Sequence, residues 1–85
     1  MRNIFILLPS PNPSGPIKGA YAIANQIIKN NRVFIVFLKN GIGVSSFLSK
    51  EVTIINLSKY KNWLRKFSKF KNIVDEYENT VILSM

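Results

Sequence analysis

Few side chains in this sequence could carry out chemistry. The 85 residues include no cysteine and no histidine, and the acidic side chains are Glu51, Asp75, Glu76 and Glu78. Thiolate and imidazole metal sites are therefore excluded, and the commonest general base is missing as well. Four carboxylates are also a poor basis for a carboxylate metal site. We expect no catalytic residue and no metal site in this chain.

The residues best suited to bind a ligand follow the first apolar run of the sequence. Ser14, Gly15, Lys18 and Gly19 stand close together there, where a proline-rich loop leads into a helical pattern. Glycine allows a ligand to approach the backbone, Lys18 adds positive charge, and the free N–H groups of a helix N-terminus attract anions. This pattern predicts binding of a phosphate group or a sugar hydroxyl. The alternative is that Gly15 and the neighbouring prolines only shape a tight turn.

Four strands and two helices must position these residues. Apolar runs, three of them almost purely Val, Ile, Leu and Phe, predict strands at 3–8, 33–38, 52–57 and 80–84. Apolar residues at helical spacing predict a helix at 18–30 and a second from an N-cap at Ser58 to about Glu78, with one further helical turn at Ser46 to Lys50. The order β-α-β-β-α-β predicts an α/β fold, namely a partial Rossmann-like, doubly wound parallel sheet with strand order 3-2-1-4.

Each helix has an apolar face that is expected to lie on the sheet. In the first helix this face consists of Ala20, Ile23, Ala24, Ile27 and Ile28. In the second it consists of Tyr60, Trp63, Leu64, Phe67, Phe70, Val74 and Tyr77. Interleaved with this second set are the basic residues Lys61, Arg65, Lys66 and Lys69. The favoured interpretation is that they form the solvated side of a core helix, and the alternative is that they rest on an anionic membrane surface.

The formal net charge of +8 permits several partners. Nucleic acid, anionic lipid and phosphorylated substrates would all be attracted, but the favoured interpretation is a solvated surface with background composition. Nucleic acid is disfavoured because no known binding module is recognisable. The apolar run that ends before Pro9 is shorter than a signal-peptide core or a membrane span, so a cytoplasmic location is expected.

Two familiar nucleotide-binding patterns are missing from the loop after the first strand. It has neither the Gly-x-Gly-x-x-Gly spacing of dinucleotide sites nor a phosphate loop of the Gly-x4-Gly-Lys-Ser/Thr type. The strand ending at Leu8, the loop and helix of residues 9–27, and the strand that starts at Arg32 instead resemble the opening of GT-B glycosyltransferases, family 4 or group 1. Ser14 stands where that family has the first glycine of a pair, and the histidine that many members carry after the fourth strand is missing.

The resemblance implies that residues 1–85 are a single incomplete Rossmann-like domain, the N-terminal part of a glycosyltransferase whose donor-binding C-terminal domain is absent. The parent enzyme would transfer a sugar from a nucleotide-sugar to a saccharide or lipid-linked acceptor in polysaccharide biosynthesis, with no metal or other cofactor. Gly15, beside Ser14 and Lys18, would face the donor phosphates, and the isolated chain would be inactive. It would be cytoplasmic or peripheral on the inner face of the membrane. The alternative is a non-catalytic Rossmann-like domain or a basic membrane-surface module.

Overall fold

The computed structural model of the protein describes residues 1–11, 15–40 and 48–84. Its elements in chain order are β1 (Asn3–Leu8), α1 (Gly15–Ile27), β2 (Arg32–Phe37), β3 (Thr53–Asn56), α2 (Trp63–Val74) and β4 (Thr80–Ser84). The predicted order β-α-β-β-α-β is confirmed. Of the helical turn predicted at Ser46 to Lys50, residues 46 and 47 lie outside the described part, and residues 48–50 include a bend and a turn.

The four strands form one parallel sheet in the order β3-β2-β1-β4, as the sequence predicts. The register places Phe5 of β1 between Phe34 of β2 and Ile82 of β4. Because the order along the sheet reverses beside β1, the topological switch point of the fold lies between β1 and β4. Ligands of open α/β sheets bind beyond the carboxyl ends of the strands at such a point.

The core consists of two apolar layers, one on each face of the sheet. The layer beneath α1 contains Ile4, Ile6, Leu8, Val33, Ile35 and Phe37, packed against α1 and against Leu48 and Val52. The layer beneath α2 contains Phe5, Phe34, Val36, Leu57 and Phe70. Consecutive residues of β1 and β2 therefore belong to opposite layers, which is why these strands are apolar without alternation.

Aromatic rings dominate the layer beneath α2. The rings of Phe5 and Phe34 stack with centroids 4.4 Å apart and planes 7° apart. Phe70 of α2 meets the Phe5 ring edge-on at 5.9 Å, and Tyr77 tilts over the Phe34 ring at 4.9 Å. The guanidinium of Arg32 lies 5.9 Å from the centroid of the Tyr77 ring. These contacts fasten the end of α2 and the turn that follows it to the two central strands.

The first helix differs from its prediction in position and in rotation. It begins at Gly15 and ends at Ile27 instead of covering 18–30. The Asn31 side-chain amide donates to the Ile27 carbonyl at 3.0 Å, which satisfies an orphan carbonyl at the helix end. Ala24 is buried as expected, but Ile23 is 44% exposed, and Tyr21, which was not assigned to the buried face, is 1% exposed. The close approach permitted by the alanines turns the helix so that the long Tyr21 ring fills the space beside the sheet.

The second helix is shorter than predicted. It begins at Trp63, because the Asn62 side chain accepts a hydrogen bond from the Leu64 N–H at 2.8 Å and so caps the helix. Ser58 is not the N-cap, since its own N–H donates to Asn56 Oδ1 at 2.8 Å in the loop after β3.

The predicted apolar face of α2 is wrong in its first half. Phe70 is buried, but Trp63, Leu64 and Phe67 are 59%, 79% and 71% exposed. Lys66, expected on the solvated side, is only 7% exposed. The buried positions are spaced i, i+4 from Lys66 to Phe70, and this row continues towards Ile73 and Val74, which pack on the same layer. The sheet is covered by the second half of α2, and the first half keeps its aromatic residues in solvent.

The strand β4 forms one edge of the sheet and is paired only with β1. Val81 packs against the layer beneath α1, whereas Ile82 and Leu83 are exposed. Asn79, just before the strand, has φ 53°, a left-handed conformation that asparagine tolerates better than most residues. The chain thus enters an edge strand whose two faces carry uncovered apolar side chains.

Removing a ring from the layer beneath α2 should cost far more stability than the same change on the exposed part of α2. We expect Phe5→Ala to lower the free energy of unfolding by about 3–5 kcal/mol, because the buried ring leaves a cavity. The matched substitution Phe67→Ala should change it by less than about 0.5 kcal/mol. Urea denaturation followed by circular dichroism measures both. Equal losses would contradict the exposed position of Phe67.

Candidate functional site

The N-terminal end of α1 carries three of the four predicted ligand-binding residues. Gly15, Lys18 and Gly19 are all exposed in its first turns, while Ser14 lies outside the described residues. Among the described residues, a Cβ atom built on Gly15 or Gly19 would meet no heavy atom within 4 Å, apart from its chain neighbours and the backbone of the helix itself. Neither glycine is therefore required by crowding from the described part of the chain.

Electrostatics at this end of α1 favour an anion. The first turn contains no acidic residue, so the partial positive charge of the helix end is not neutralised from within the helix. The ammonium group of Lys18 adds a full positive charge one turn from the helix start. Pro16 has no N–H group, so the Gly15 N–H, which precedes the first intrahelical hydrogen bond, is the natural backbone donor to a phosphate or carboxylate at this end.

The sheet brings this helix end to the carboxyl ends of the strands. The pairing of β1 and β2 continues past their ends, since the Leu38 N–H donates to the Leu8 carbonyl at 3.1 Å and the Lys39 N–H to the Pro9 carbonyl at 2.8 Å. On the other side of β1, Leu7 is paired with Ser84 of β4. The loop that leads from β1 into α1 therefore starts at the switch point between β1 and β4.

The described groups at this site are suited to binding an anion. Among residues 1–11, 15–40 and 48–84, no three acidic side chains come together as a metal site would require. The groups that the described chain presents here are backbone N–H groups and one ammonium. They can hold an anion and stabilise negative charge that develops on it.

The basic residues of α2 do not form one uniform surface. Arg65 and Lys69 are exposed and lie four residues apart on one side of α2, whereas Lys61 is exposed in the loop before the helix. Lys66 differs, because its stem is buried and its ammonium lies 4.6 Å from the centroid of the Trp63 ring. The exposed apolar residues Trp63, Leu64 and Phe67 lie on a different side of the helix, at about 100–160° of rotation from Arg65 and Lys69. We call Trp63, Leu64 and Phe67, together with Lys61, Arg65 and Lys69, the aromatic-basic segment.

Sequence reasoning missed a cavity along the side of α1. It has a volume of about 360 Å³ and is lined by Lys18, Tyr21, Ala22 and Asn25. The Tyr21 hydroxyl is buried and has no hydrogen-bond partner within the described chain. Burial raises the pKa of the Tyr21 hydroxyl above its ordinary value of 10.0. The cavity could have been predicted from Lys18, Tyr21 and Asn25, whose spacing places three polar groups on one side of the helix. The alanines between them made this side look apolar in the sequence.

No protein-family model, no curated protein and no solved structure matches this chain. Among the described residues, no helix is both long enough and apolar enough to cross a membrane.

Replacing Tyr21 by phenylalanine should stabilise the free protein. An unsatisfied buried polar group costs about 1–3 kcal/mol, and Tyr21→Phe removes it while keeping the ring in place. We expect the free energy of unfolding to rise by about 1 kcal/mol in urea denaturation. The control is Tyr60→Phe at a half-buried position, which should change little.

The same variants give a second readout in alkali. Because the pKa of Tyr21 is raised in the folded state, the unfolded chain releases this proton first as the pH rises through its ordinary value of 10.0. Below pH 10 the ionisation of Tyr21 therefore leaves the free energy of unfolding unchanged. Above pH 10 this ionisation lowers the free energy of unfolding. Tyr21→Phe should lose stability less steeply above pH 10 than the wild type. An identical alkaline profile would contradict the burial of this hydroxyl.

Proposed function

We propose that this chain is the acceptor-side part of a GT-B glycosyltransferase, which transfers a sugar from a nucleotide-sugar to a saccharide or lipid-linked acceptor in polysaccharide biosynthesis. The observation that supports this proposal most is the open N-terminal end of α1 at the switch point of a β3-β2-β1-β4 sheet. Nucleotide ligands of such folds place their phosphates at this position.

The role proposed for the site is to hold the donor diphosphate. The backbone N–H groups at Gly15 would donate to the phosphate oxygens, with Ser14 beside them, and Lys18 would supply charge. Gly19 has no side chain, so among the described residues nothing beside the second turn of the helix would block the donor. The nucleotide itself would bind to a second Rossmann domain across a cleft.

This arrangement would lower the barrier to glycosyl transfer at the step in which the leaving group departs. The bond from the anomeric carbon to the diphosphate oxygen would break with its electron pair on that oxygen, the acceptor hydroxyl oxygen would bond to the anomeric carbon, and the hydroxyl proton would pass to the departing diphosphate or to solvent. Negative charge would collect on the diphosphate as it departs. Preoriented N–H groups and an ammonium stabilise that charge most where it develops. We assign no catalytic residue to this chain and no metal to the reaction, and we expect no turnover from the isolated 85 residues.

A nucleoside diphosphate should bind weakly at the start of α1. We expect UDP, GDP or ADP to shift the amide NMR signals of Gly15, Lys18 and Gly19. Lys18→Gln should weaken this binding about three- to tenfold, because one charge-assisted contact is lost. The matched control Lys29→Gln removes the same charge from an exposed position beyond the other end of the helix and should change little.

Two results would count against this proposal. One is that no nucleotide shifts the signals of residues 15–19. The other is an equal loss of affinity in both lysine variants, which would indicate general attraction by the net charge.

We also propose that the protein lies peripherally on an anionic membrane surface, with the aromatic-basic segment in contact with lipid. The observation that supports this second function is the exposure of Trp63, Leu64 and Phe67 in the first half of α2. The whole segment from Ser58 to Val74 lacks an acidic residue, so nothing in it repels anionic headgroups.

The arrangement of charge and rings suits the headgroup region. Lys61, Arg65 and Lys69 are exposed and can approach lipid phosphates, and each basic residue near an anionic surface contributes about 1 kcal/mol. The Trp63 ring, with the Lys66 ammonium above it, combines an apolar body with a polar partner. Aromatic rings of this kind prefer the interface between headgroups and acyl chains.

Trp63 is the single tryptophan of the chain and reports directly on this contact. We expect its fluorescence to shift to the blue with vesicles that contain anionic phosphatidylserine, and to shift less with purely zwitterionic phosphatidylcholine. The double variant Leu64→Ser/Phe67→Ser should reduce vesicle binding at least tenfold, because it removes two inserted apolar groups.

The matched control is Ile23→Ser, which removes an exposed apolar residue from α1 and should leave vesicle binding unchanged. Added salt should weaken binding to the anionic vesicles, since surface charges are screened. Binding that is insensitive to both salt and lipid charge would contradict the proposed surface, and so would an unshifted Trp63 spectrum.

A further inference from the structure

A small cleft lies along one side of α2 and is bordered by the loop that precedes this helix. Its volume is about 210 Å³, and it is lined by Tyr60, Arg65, Ser68, Lys69 and Asn72. The four residues from α2 stand at positions i, i+3, i+4 and i+7, so they share one side of the helix. Pockets for drug-sized ligands have volumes of about 300–1,000 Å³, so this cleft suits one small chemical group. We call it the Tyr60 cleft.

The polar groups of the Tyr60 cleft are accessible to a ligand. Arg65, Ser68, Lys69 and Asn72 all have exposed side chains. They offer a guanidinium, a hydroxyl, an ammonium and an amide, and each of these groups can donate a hydrogen bond. The two charged groups can only donate. A ligand of this cleft should therefore be rich in acceptor oxygens.

The Tyr60 ring is held in place by the sheet and attracts positive charge. The Leu57 N–H donates to the Phe37 carbonyl at 2.9 Å, and the Tyr60 N–H donates to the Leu57 carbonyl at 3.1 Å. The half-buried ring packs against the layer beneath α2. The ammonium groups of Lys59 and Lys69 lie 5.1 Å and 5.8 Å from its centroid. The ring thus holds two positive charges at the cleft.

The charges around the cleft select a dianion. The segment from Ser58 to Val74 contains no acidic residue, and Asp75 follows Asn72 at the end of the row far from Arg65. An anion is therefore favoured beside Arg65 and Lys69. A guanidinium can hold two oxygens of one phosphate group at once. A phosphate monoester has a charge of about −1.5 to −2 at pH 7 and three acceptor oxygens.

We infer that the Tyr60 cleft binds a phosphate monoester group, with two phosphate oxygens at Arg65 and the third at Lys69 and Ser68. Such a group occurs on soluble phosphate esters and on the lipid phosphatidic acid. The inference goes beyond both proposed functions. The cleft contains no residue of the site at Gly15, and it lies on a different side of α2 from the exposed apolar residues.

The first test titrates the 85-residue chain with glycerol 3-phosphate, and with the phosphodiester dimethyl phosphate as a comparison. We expect glycerol 3-phosphate to shift the amide NMR signals of Arg65, Ser68 and Lys69, and to bind at least about threefold more tightly than the diester. Lys69→Gln should weaken its binding about three- to tenfold. The matched control Lys61→Gln removes the same charge from an exposed position that does not line the cleft, and should change little.

Two further variants separate a built site from general attraction by charge. Ser68→Ala removes the hydroxyl and should weaken binding about two- to fivefold. Arg65→Lys keeps the charge but loses the planar fork, and should weaken binding about three- to tenfold. Alanine and lysine are both good helix formers, so neither change at these exposed positions should disturb the fold.

The pH dependence identifies the protonation state of the ligand. A phosphate monoester takes up a proton at about pH 6, and the chain has no histidine, the side chain that ordinarily titrates in this range. The affinity for glycerol 3-phosphate should therefore fall from about pH 7 to about pH 5, whereas the affinity for dimethyl phosphate should not.

Vesicles distinguish the two sources of the group. Phosphatidylcholine vesicles with phosphatidic acid are compared with vesicles that contain phosphatidylserine at the same zeta potential. Stronger binding to phosphatidic acid that Ser68→Ala weakens would assign the cleft to the lipid. Equal binding to both vesicles, together with binding of glycerol 3-phosphate, would assign it to a soluble ester. Leu64→Ser/Phe67→Ser should leave glycerol 3-phosphate binding unchanged, so failure of the membrane proposal and failure of the cleft are separate results.

Several outcomes would overturn the inference. One is that glycerol 3-phosphate shifts no signal of the cleft, and another is that dimethyl phosphate binds equally well. Equal losses in Lys69→Gln and Lys61→Gln, or unchanged affinity in both Ser68→Ala and Arg65→Lys, would indicate attraction by net charge alone. Tighter binding of a single-stranded oligonucleotide through the same residues would assign the cleft to nucleic acid instead.

Discussion

The covering of the two central strands on both faces is the constraint on which the rest of the structure depends. β1 and β2 send consecutive apolar side chains to opposite sides, so neither strand can be left against water. One helix must therefore lie on each face, and this requirement fixes the strand order and the switch point. The position of the α1 N-terminus beside the carboxyl end of β1 is a direct result. The candidate phosphate site is thus set by the packing of the core, although none of its exposed residues belongs to that core.

The sheet was predictable from the sequence because its signal is local and strong. Uninterrupted runs of branched and aromatic residues define the strands, and two intervening helices permit essentially one handedness of crossover. The faces of the helices were less predictable. The apolar stripe of α2 continues further than the sheet it covers, so Phe70 is buried and Phe67 is not. Spacing along the chain gives the face of a helix that is apolar, but the partner decides how much of that face is covered.

The two parts of the candidate site differ in the same way. That Gly15 and Lys18 lie near the start of a helix could be predicted from the sequence, because a loop before a helix gives a local signal, and their binding of a ligand stays a prediction. Tyr21 could not, because the lack of a partner for its hydroxyl depends on what the rest of the chain places around it. Lys66 illustrates a similar limit: its burial depends on the position of the Trp63 ring and on the tilt of α2, neither of which composition specifies.

The edge strand β4 has a consequence for the behaviour of the protein in solution. Residues 80–84 contain no charge and no proline, the devices that commonly protect an edge, and Ile82 and Leu83 are exposed. An edge of this kind can recruit a strand from another molecule. Mutual repulsion between molecules of net charge +8 opposes that encounter at low ionic strength. For these 85 residues, association through the β4 edge is therefore expected to be opposed by long-range charge and to increase as the Debye length shortens.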